Sequence, residues 1–348
     1  MSRYLLAYLL PLTAGVGLVL GGWTVWITLV LVYVAIPLVD QWLGPDDRAL
    51  PSRVAQDRAR IDLTRGELGV LWAVLPVQLA LLVGLALVWS RPDVAMWERL
   101  GWIASVGLSA GGLGITVAHE LIHRQDRGSR WVGRALLLTV LYMHFAIEHL
   151  RGHHQRVGTD EDGASARLGQ SLYAFIPSGV ARQWVSAWRL EARRLSKRGL
   201  SAWSIRNEML VMTALQVLWL AGIAAFAGPL VMVAFVGVAF VAVMLLETVN
   251  YVEHYGLRRR IDESGRIEPV RAMHSWNSDQ QVSRALLFEL PRHTDHHMNA
   301  GRPYASLQSV AGAPQLPAGY PTMVLLALLP PLWFKVMDPR VAAVSAGR

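Results

Sequence analysis

Apolar residues in this chain gather into long unbroken runs, not into the short alternations of a half-buried strand. Six runs stand out, at residues 4–20, 23–39, 69–89, 101–118, 209–226 and 230–246. A bilayer-spanning helix needs roughly 20 mainly apolar residues, with about 17 at the short end. All six qualify, the first two at the lower limit. Only Gly21-Gly22 separates those two, which predicts a tight helical hairpin. The first run reads as a span and not as a cleaved leader, because no small-residue cleavage site follows and a second apolar run begins at once. Two further stretches imitate spans. Residues 131–147 are broken by Arg134 and read as a helix lying in, or re-entering, one leaflet. Residues 323–334, broken by Pro330-Pro331, are too short to cross and read as interfacial. With no internal repeat and no low-complexity linker, the expectation is a single membrane-embedded domain over residues 1–348, all-α and polytopic, with six transmembrane helices.

Charge placement orients these spans. The segment 40–66 carries Arg48, Arg53, Arg58, Arg60 and Arg65, and the segment 119–208 is rich in arginine. The 90–98 loop has only Arg91, and the 227–229 turn has no basic residue. Basic loops mark the cytoplasmic side, so these segments and the tail after Glu247 are expected in the cytoplasm, with both termini inside. The formal net charge of +8 is then an orientation signal and not a nucleic-acid footprint. Trp23, Trp89, Trp97 and Trp102 fall near run ends, where interfacial aromatics belong. Composition agrees: 53% of the 348 residues are hydrophobic and 17% charged, too apolar for a soluble domain of this size. Cysteine is absent, which excludes disulfides, iron–sulfur clusters, thiolate-ligated haem and a cysteine nucleophile. Any electrons must come from another cofactor or from a separate partner.

The histidines carry the chemistry. Nine of the eleven fall into four constellations: His119-Glu-Leu-Ile-His123, His149-Leu-Arg-Gly-His153-His154, His254 within Asn250-Tyr-Val-Glu-His-Tyr-Gly256, and His293-Thr-Asp-His296-His297. His144 and His274 stand apart. All lie on the side assigned to the cytoplasm, several just beyond a span. On a helix, residues four apart share a face, so His119/His123, His149/His153 and His293/His297 are expected as pairs. His154 is rotated away from His149 and is placed to reach a second ion. Nine imidazoles exceed what one ion takes, so two ions are the simplest arithmetic. Imidazole suits zinc, copper, iron and nickel alike. Ligating histidines usually donate their other ring N–H to a carboxylate or carbonyl. Glu120, Glu148, Glu253 and Asp295 adjoin the boxes and are candidates for that duty, while His144 and His274 are candidates for supporting roles.

The boxes resemble those of membrane fatty-acid desaturases and alkane hydroxylases. The Asn250-Tyr-Val-Glu-His-Tyr-Gly-Leu257 block is similar to the extra motif that separates bacterial alkane monooxygenases from desaturases. The likeness continues through Pro37-Leu-Val-Asp40, Thr159-Asp-Glu-Asp-Gly-Ala-Ser-Ala-Arg167, His274-Ser-Trp-Asn-Ser278, Pro330-Pro-Leu-Trp-Phe and Met337-Asp-Pro-Arg340, and so covers most of the chain. It implies a bacterial inner-membrane enzyme with two iron ions, held by the nine boxed histidines on the cytoplasmic side. It implies O₂-dependent terminal hydroxylation of an alkane drawn from the bilayer, with electrons from rubredoxin and its reductase. One departure is Leu290-Pro-Arg-His293, where the family pattern has Leu-Gln-Arg-His. Pro291 fixes φ and removes a donor just before a boxed histidine.

An alkane offers no polar handle, so regiochemistry must come from the shape of an apolar tunnel. Trp23, Trp26 and Tyr33 are candidates for limiting its length, and Gly107-Leu-Ser-Ala-Gly111 is a candidate wall allowing close helix approach. Hydroxylation of aromatic methyl groups or of other lipids is the alternative within the same chemistry. A zinc protease built on His119-Glu-Leu-Ile-His123 would leave six histidines idle. A metal transporter would put ionisable residues at mid-span, where the runs have almost none.

Overall fold

The computed structural model describes residues 2–46 and 62–347. Arg48, Arg53, Arg58 and Arg60, used above to orient the chain, lie outside the described residues. The described residues are helical, with isolated bridges but no sheet among them. Six helices are long and apolar enough to cross a membrane: α1 Ser2–Leu20, α2 Gly22–Leu43, α3 Arg65–Trp89, α4 Met96–Ile122, α8 Glu208–Ala227 and α9 Pro229–His254. These are the six expected from the sequence, each extended by a few residues at its polar ends.

The turns follow local chemistry. Gly21 and Gly22 both take positive φ (64° and 56°), a conformation glycine adopts without a Cβ penalty. The Gly22 N–H donates to Glu98 at 2.6 Å, tying the first hairpin to the start of α4. Gly228, at φ 94°, reverses the chain between α8 and α9, and Pro229 opens α9 at its first turn, where a missing N–H costs nothing. Asn207 caps α8 by accepting from the Met209 N–H.

α4 is the central post, with 83% of its apolar window buried against 11% for α8. Helices in lipid associate through close packing and interhelical hydrogen bonds, since lipid is as apolar as leucine. A Cβ on Gly107 would lie 2.5 Å from the Val241 side chain, and one on Gly111 would lie 3.0 Å from the Ala242 carbonyl. Both are therefore contact points between α4 and α9. On its other face Trp102 donates to the Gly17 carbonyl (2.8 Å) and Ser105 to that of Val25 (2.5 Å).

Beyond α4 the chain forms α5 (Arg127–Thr139), then a helical stretch α6 at 145–156 and the long α7 (Leu172–Ser196). The single helix expected over 131–147 does not form. α5 stops at Thr139, and Leu141 sits at φ 56°, a left-handed turn that brings α6 back toward the spans. After α9 come α10 (Gln281–Leu286), α11 (His293–Met298), α12 (Tyr320–Ala327) and α13 (Pro330–Ala346). The apolar stretch around Pro330-Pro331 is thus two helices, with Pro330 starting the second.

Three helical turns widen to π geometry: Leu31–Ala35 in α2, Ala110–Ile115 in α4 and His149–His153 in α6. Such insertions recur at functional sites, and all three border the site described next.

Candidate metal centre

Nine imidazoles converge at the end of the helix bundle. α4 delivers His119, and His123 follows directly on its last residue. α6 delivers His149, His153 and His154, α9 ends on His254, and α11 supplies His293, His296 and His297. They sort into two groups able to hold an ion. His119, His123, His149, His154 and His296 form one, and His153, His254, His293 and His297 the other. The groups touch: the rings of His154 and His297 are 4.7 Å apart, centroid to centroid.

Every one of the nine presents Nε2 to its neighbours. In the five-histidine group the close pairs are His119–His296, His123–His149 and His149–His154 at 3.0 Å and His154–His296 at 3.1 Å. In the four-histidine group they are His293–His297 at 2.9 Å, His254–His293 at 3.1 Å and His153–His297 at 3.2 Å. A neutral imidazole has one ring proton, so rings of Nε2 lone pairs aimed at one another repel unless a cation lies between them. Spacing bears on its geometry. Two nitrogens about 2.1 Å from one ion are about 3.0 Å apart at right angles and about 3.4 Å apart at the tetrahedral angle. The observed 2.9–3.2 Å separations fit right-angled coordination, the habit of five- and six-coordinate ions, better than a tetrahedral zinc site. The residues present fit a pair of such ions.

The partition differs from the sequence expectation at one box. His149 and His153 were expected as a pair, with His154 reaching the second ion. Instead His149 and His154 share the five-histidine group and His153 crosses to the other. The cause is the π turn: the His154 N–H bonds to the His149 carbonyl, an i→i+5 bond that brings residues five apart onto one side. His293 takes its place in the four-histidine group despite Pro291, whose carbonyl accepts from the Ser278 N–H at 3.0 Å.

Burial disfavours charge on these rings. It holds His123, His149, His154, His293, His296 and His297 well below the ordinary histidine pKa, leaving them in the neutral form a metal requires. His153 is the exception. Burial pulls its pKa down too, but the Asp162 carboxylate, 2.9 Å from its Nδ1, outweighs that and raises it. Asp162 is itself held low by His153 against the effect of its own burial, and it is fixed by Ser165 at 2.5 Å.

Asp162 was not singled out from the sequence, although it lies in the resembling Thr159–Arg167 block. Of the carboxylates that were, only Glu253 approaches a boxed imidazole, 3.3 Å from His293 Nε2, with Tyr320 donating to it at 2.8 Å. The other three turn to different partners, because arginines and backbone donors lie nearer. Glu120 meets Arg124 and the Tyr304 N–H, Glu148 meets Arg156 and Ser186, and Asp295 meets Arg302, Asn299 and the Gln308 N–H. His274 pairs with Glu268 at 3.1 Å and accepts from the Arg271 N–H. His144 packs on Tyr142, ring centroids 4.2 Å apart. Neither belongs to a group.

An apolar cavity of about 910 Å³ leads to both groups. Leu10, Val32, Tyr33, Leu108, Gly112 and Leu245 are among its apolar walls, and His119, His149 and His293 stand at its floor beside Phe145, Asn250 and Glu253. Of the three aromatics expected to limit it, Tyr33 lines the cavity. Trp23 is exposed and meets Trp97 in a tilted ring contact, and Trp26 packs near Gly101. Phe145, which no motif flagged, stacks on His149 at 4.7 Å.

Comparison with known proteins gives one family. Residues 95–327 match the fatty acid desaturase family. The chain is 49% identical to alkane 1-monooxygenase 1 of Pseudomonas aeruginosa over 79% of its own length and 72% of that protein's. It is 42% identical to alkane 1-monooxygenase 2 of the same organism, over 92% and 85% respectively. It is 37% identical to alkane 1-monooxygenase 2 of Alcanivorax borkumensis, over 97% and 89%.

Proposed function

The chain belongs to the alkane 1-monooxygenase branch of the fatty acid desaturase family, and on that premise we propose that it converts alkanes to primary alcohols with O₂, using two iron ions held by His119, His123, His149, His154 and His296 and by His153, His254, His293 and His297. The observation that carries the reading is the apolar cavity whose floor is made by histidines of both groups. Bound there, the irons would supply the activation of O₂ and the insertion of one oxygen atom into a C–H bond; the second oxygen leaves as water, with two electrons from rubredoxin and two protons.

The protein's own share is position and exclusion. Walls of leucine, valine and glycine give a hydrocarbon nothing to hold except shape, so a linear chain enters end-on and offers its terminal carbon to the floor. Phe145, stacked on His149, fills the floor beside the ring and keeps water from it. Asp162 accepts a hydrogen bond from the Nδ1–H of His153, fixing the tautomer that leaves Nε2 free for a metal. Pairing with Tyr320 keeps the Glu253 carboxylate turned to the cavity. The arginine-rich segment 119–208 supports a cytoplasmic position for the centre, and the likeness to bacterial alkane 1-monooxygenases supports a bacterial inner membrane.

The test is product analysis. Protein in nanodiscs with linear alkanes, O₂, rubredoxin and rubredoxin reductase should give primary alcohols and consume one O₂ per alcohol. Oxidation confined to aromatic methyl groups would overturn the assignment in favour of the alternative substrate class.

A further inference from the structure

The oxygenase reading requires two electrons per turnover, and a chain without cysteine has no thiolate-bound centre to bring them in. We propose that an acidic electron-carrier protein docks in the arginine-lined cleft on α7, beside the second histidine box. This rests on the oxygenase reading and adds the place where its donor is held.

The cleft, about 1030 Å³, is lined by Arg156, Arg182, Arg189, Arg193, Glu161 and Ser186 together with a few apolar residues. Four arginines and one glutamate line it, and with Arg156 paired to Glu148 the excess is two positive charges. Arg156 lies two residues after His154, one of two boxed histidines that are only partly buried, the other being His123. A partner seated here contacts the end of α6, the helix that carries His149, His153 and His154.

The arginines divide the labour. Arg156 is anchored to Glu148 (2.9 Å) and Ser186 (2.5 Å), and Arg182 to the Asp160 carbonyl. Arg189 and Arg193 are exposed and pair with no carboxylate among the described residues. Charges left unpaired on a rim act mainly by steering an oppositely charged partner.

The helix itself separates a donor from a lipid headgroup as occupant. Arg182, Arg189 and Arg193 fall on one edge of α7. Trp184 and Trp188, with ring centroids 5.7 Å apart, fall on the other, about half a turn away at 3.6 residues per turn. Gln183, Ala187 and Glu191 are buried between those edges. Trp188 continues to Trp203 at 6.1 Å, just before α8 enters the bilayer. Aromatics of this kind belong at the headgroup level, so the tryptophan edge meets the membrane and the arginine edge faces water, where a soluble carrier arrives.

The experiment compares wild type with Arg189→Glu/Arg193→Glu in nanodiscs, using an acidic bacterial rubredoxin as the probe. The expected result is an apparent KM for rubredoxin raised on the order of tenfold and a weakened dependence of that KM on salt. Iron content and reduction of the iron by dithionite should match wild type. If the double variant fails to fold, Arg189→Gln and Arg193→Gln singly carry the same readouts, each about threefold in KM. An unchanged KM with unchanged salt dependence overturns the proposal. So does a defect that appears only in nanodiscs of anionic lipid and not of neutral lipid, which would make the cleft a headgroup site. A wild-type protein that oxidises no hydrocarbon with either reductant sinks the oxygenase reading, whereas a hydroxylating protein indifferent to these charges sinks the docking site alone.

Discussion

The two histidine groups are built from the same ligand type and sit in contact, yet their surroundings differ. The five-histidine group is reached by two partly buried rings, His123 and His154, and among the described residues no carboxylate is hydrogen-bonded to its imidazoles. The four-histidine group is wholly buried and has Asp162 on His153 and Glu253 beside His293. Two ions of equal charge would therefore meet unequal fields: one near water among neutral rings, the other enclosed and partly neutralised. On the proposed function, the difference predicts electron entry at the first group and firmer retention of the ion at the second.

The strongest way to break the comparison is to remove one ligand from each side. His119→Ala and His254→Ala should each abolish turnover and release iron, and metal analysis should find the loss confined to the altered group. Full iron retention in either variant would refute the ligand assignment. Acid comes next. In metal-free protein, rings held below their ordinary pKa stay neutral while the unfolded chain takes up protons, so stability is intact above about pH 6.5 and falls below it. The slope is about 1.4 kcal/mol per pH unit for each such ring. His153 has the opposite sign: its raised pKa gives a contribution present below about pH 6.5 and lost as pH rises through the folded value. Melting temperatures of the metal-free protein from pH 8 to 5 should fall, and fall more steeply in Asp162→Asn, which removes the opposing contribution. A flat profile would show that the rings are not held neutral.

A smaller effect sharpens the contrast. Asp162→Asn should weaken metal binding at the four-histidine group by about 10–100-fold, the usual cost of losing such a partner. The five-histidine group should keep its affinity, as read by metal titration with a spectroscopic probe of each site. Equal weakening of both would erase the distinction. The smallest effect expected is at His274, which meets Glu268 and not a group. His274→Gln should leave iron content unchanged and cost about 1 kcal/mol of stability, measured by thermal melting. Iron loss comparable to that of His119→Ala would move His274 into the ligand set.

Much of this was legible beforehand. Spans are set by the thickness of the bilayer, a length that residues 69–89 or 230–246 display directly. The Gly21-Gly22 hairpin follows from backbone freedom, and histidine spacing marks the centre. The partition of the histidines was not legible, because an i→i+5 bond at His149 leaves no trace in an apolar period and converts an expected pair into members of different groups. Asp162 escaped for a related reason. It reaches His153 through the tight turn after Gly158, with the Gly158 N–H held by Ser165 at 2.9 Å, and spacing arguments along one helix cannot see around a turn. Leu141 at φ 56° broke the expected helix over 131–147 because a left-handed leucine has no sequence signature.

The burial of α4 carries a consequence for how the protein is made. Its mean hydropathy is 1.5 against 2.7 for α9, and it carries Glu98, Arg99, Ser105, Ser109 and Thr116 along its length. Insertion machinery that partitions helices into lipid according to their apolarity has the weakest grounds for releasing this one. Trp102 and Ser105 find their acceptors on Gly17 and Val25, in the hairpin synthesised earlier. That hairpin is thus a waiting socket, and α4 is expected to enter the bilayer against partners already there, in the order in which the chain leaves the ribosome.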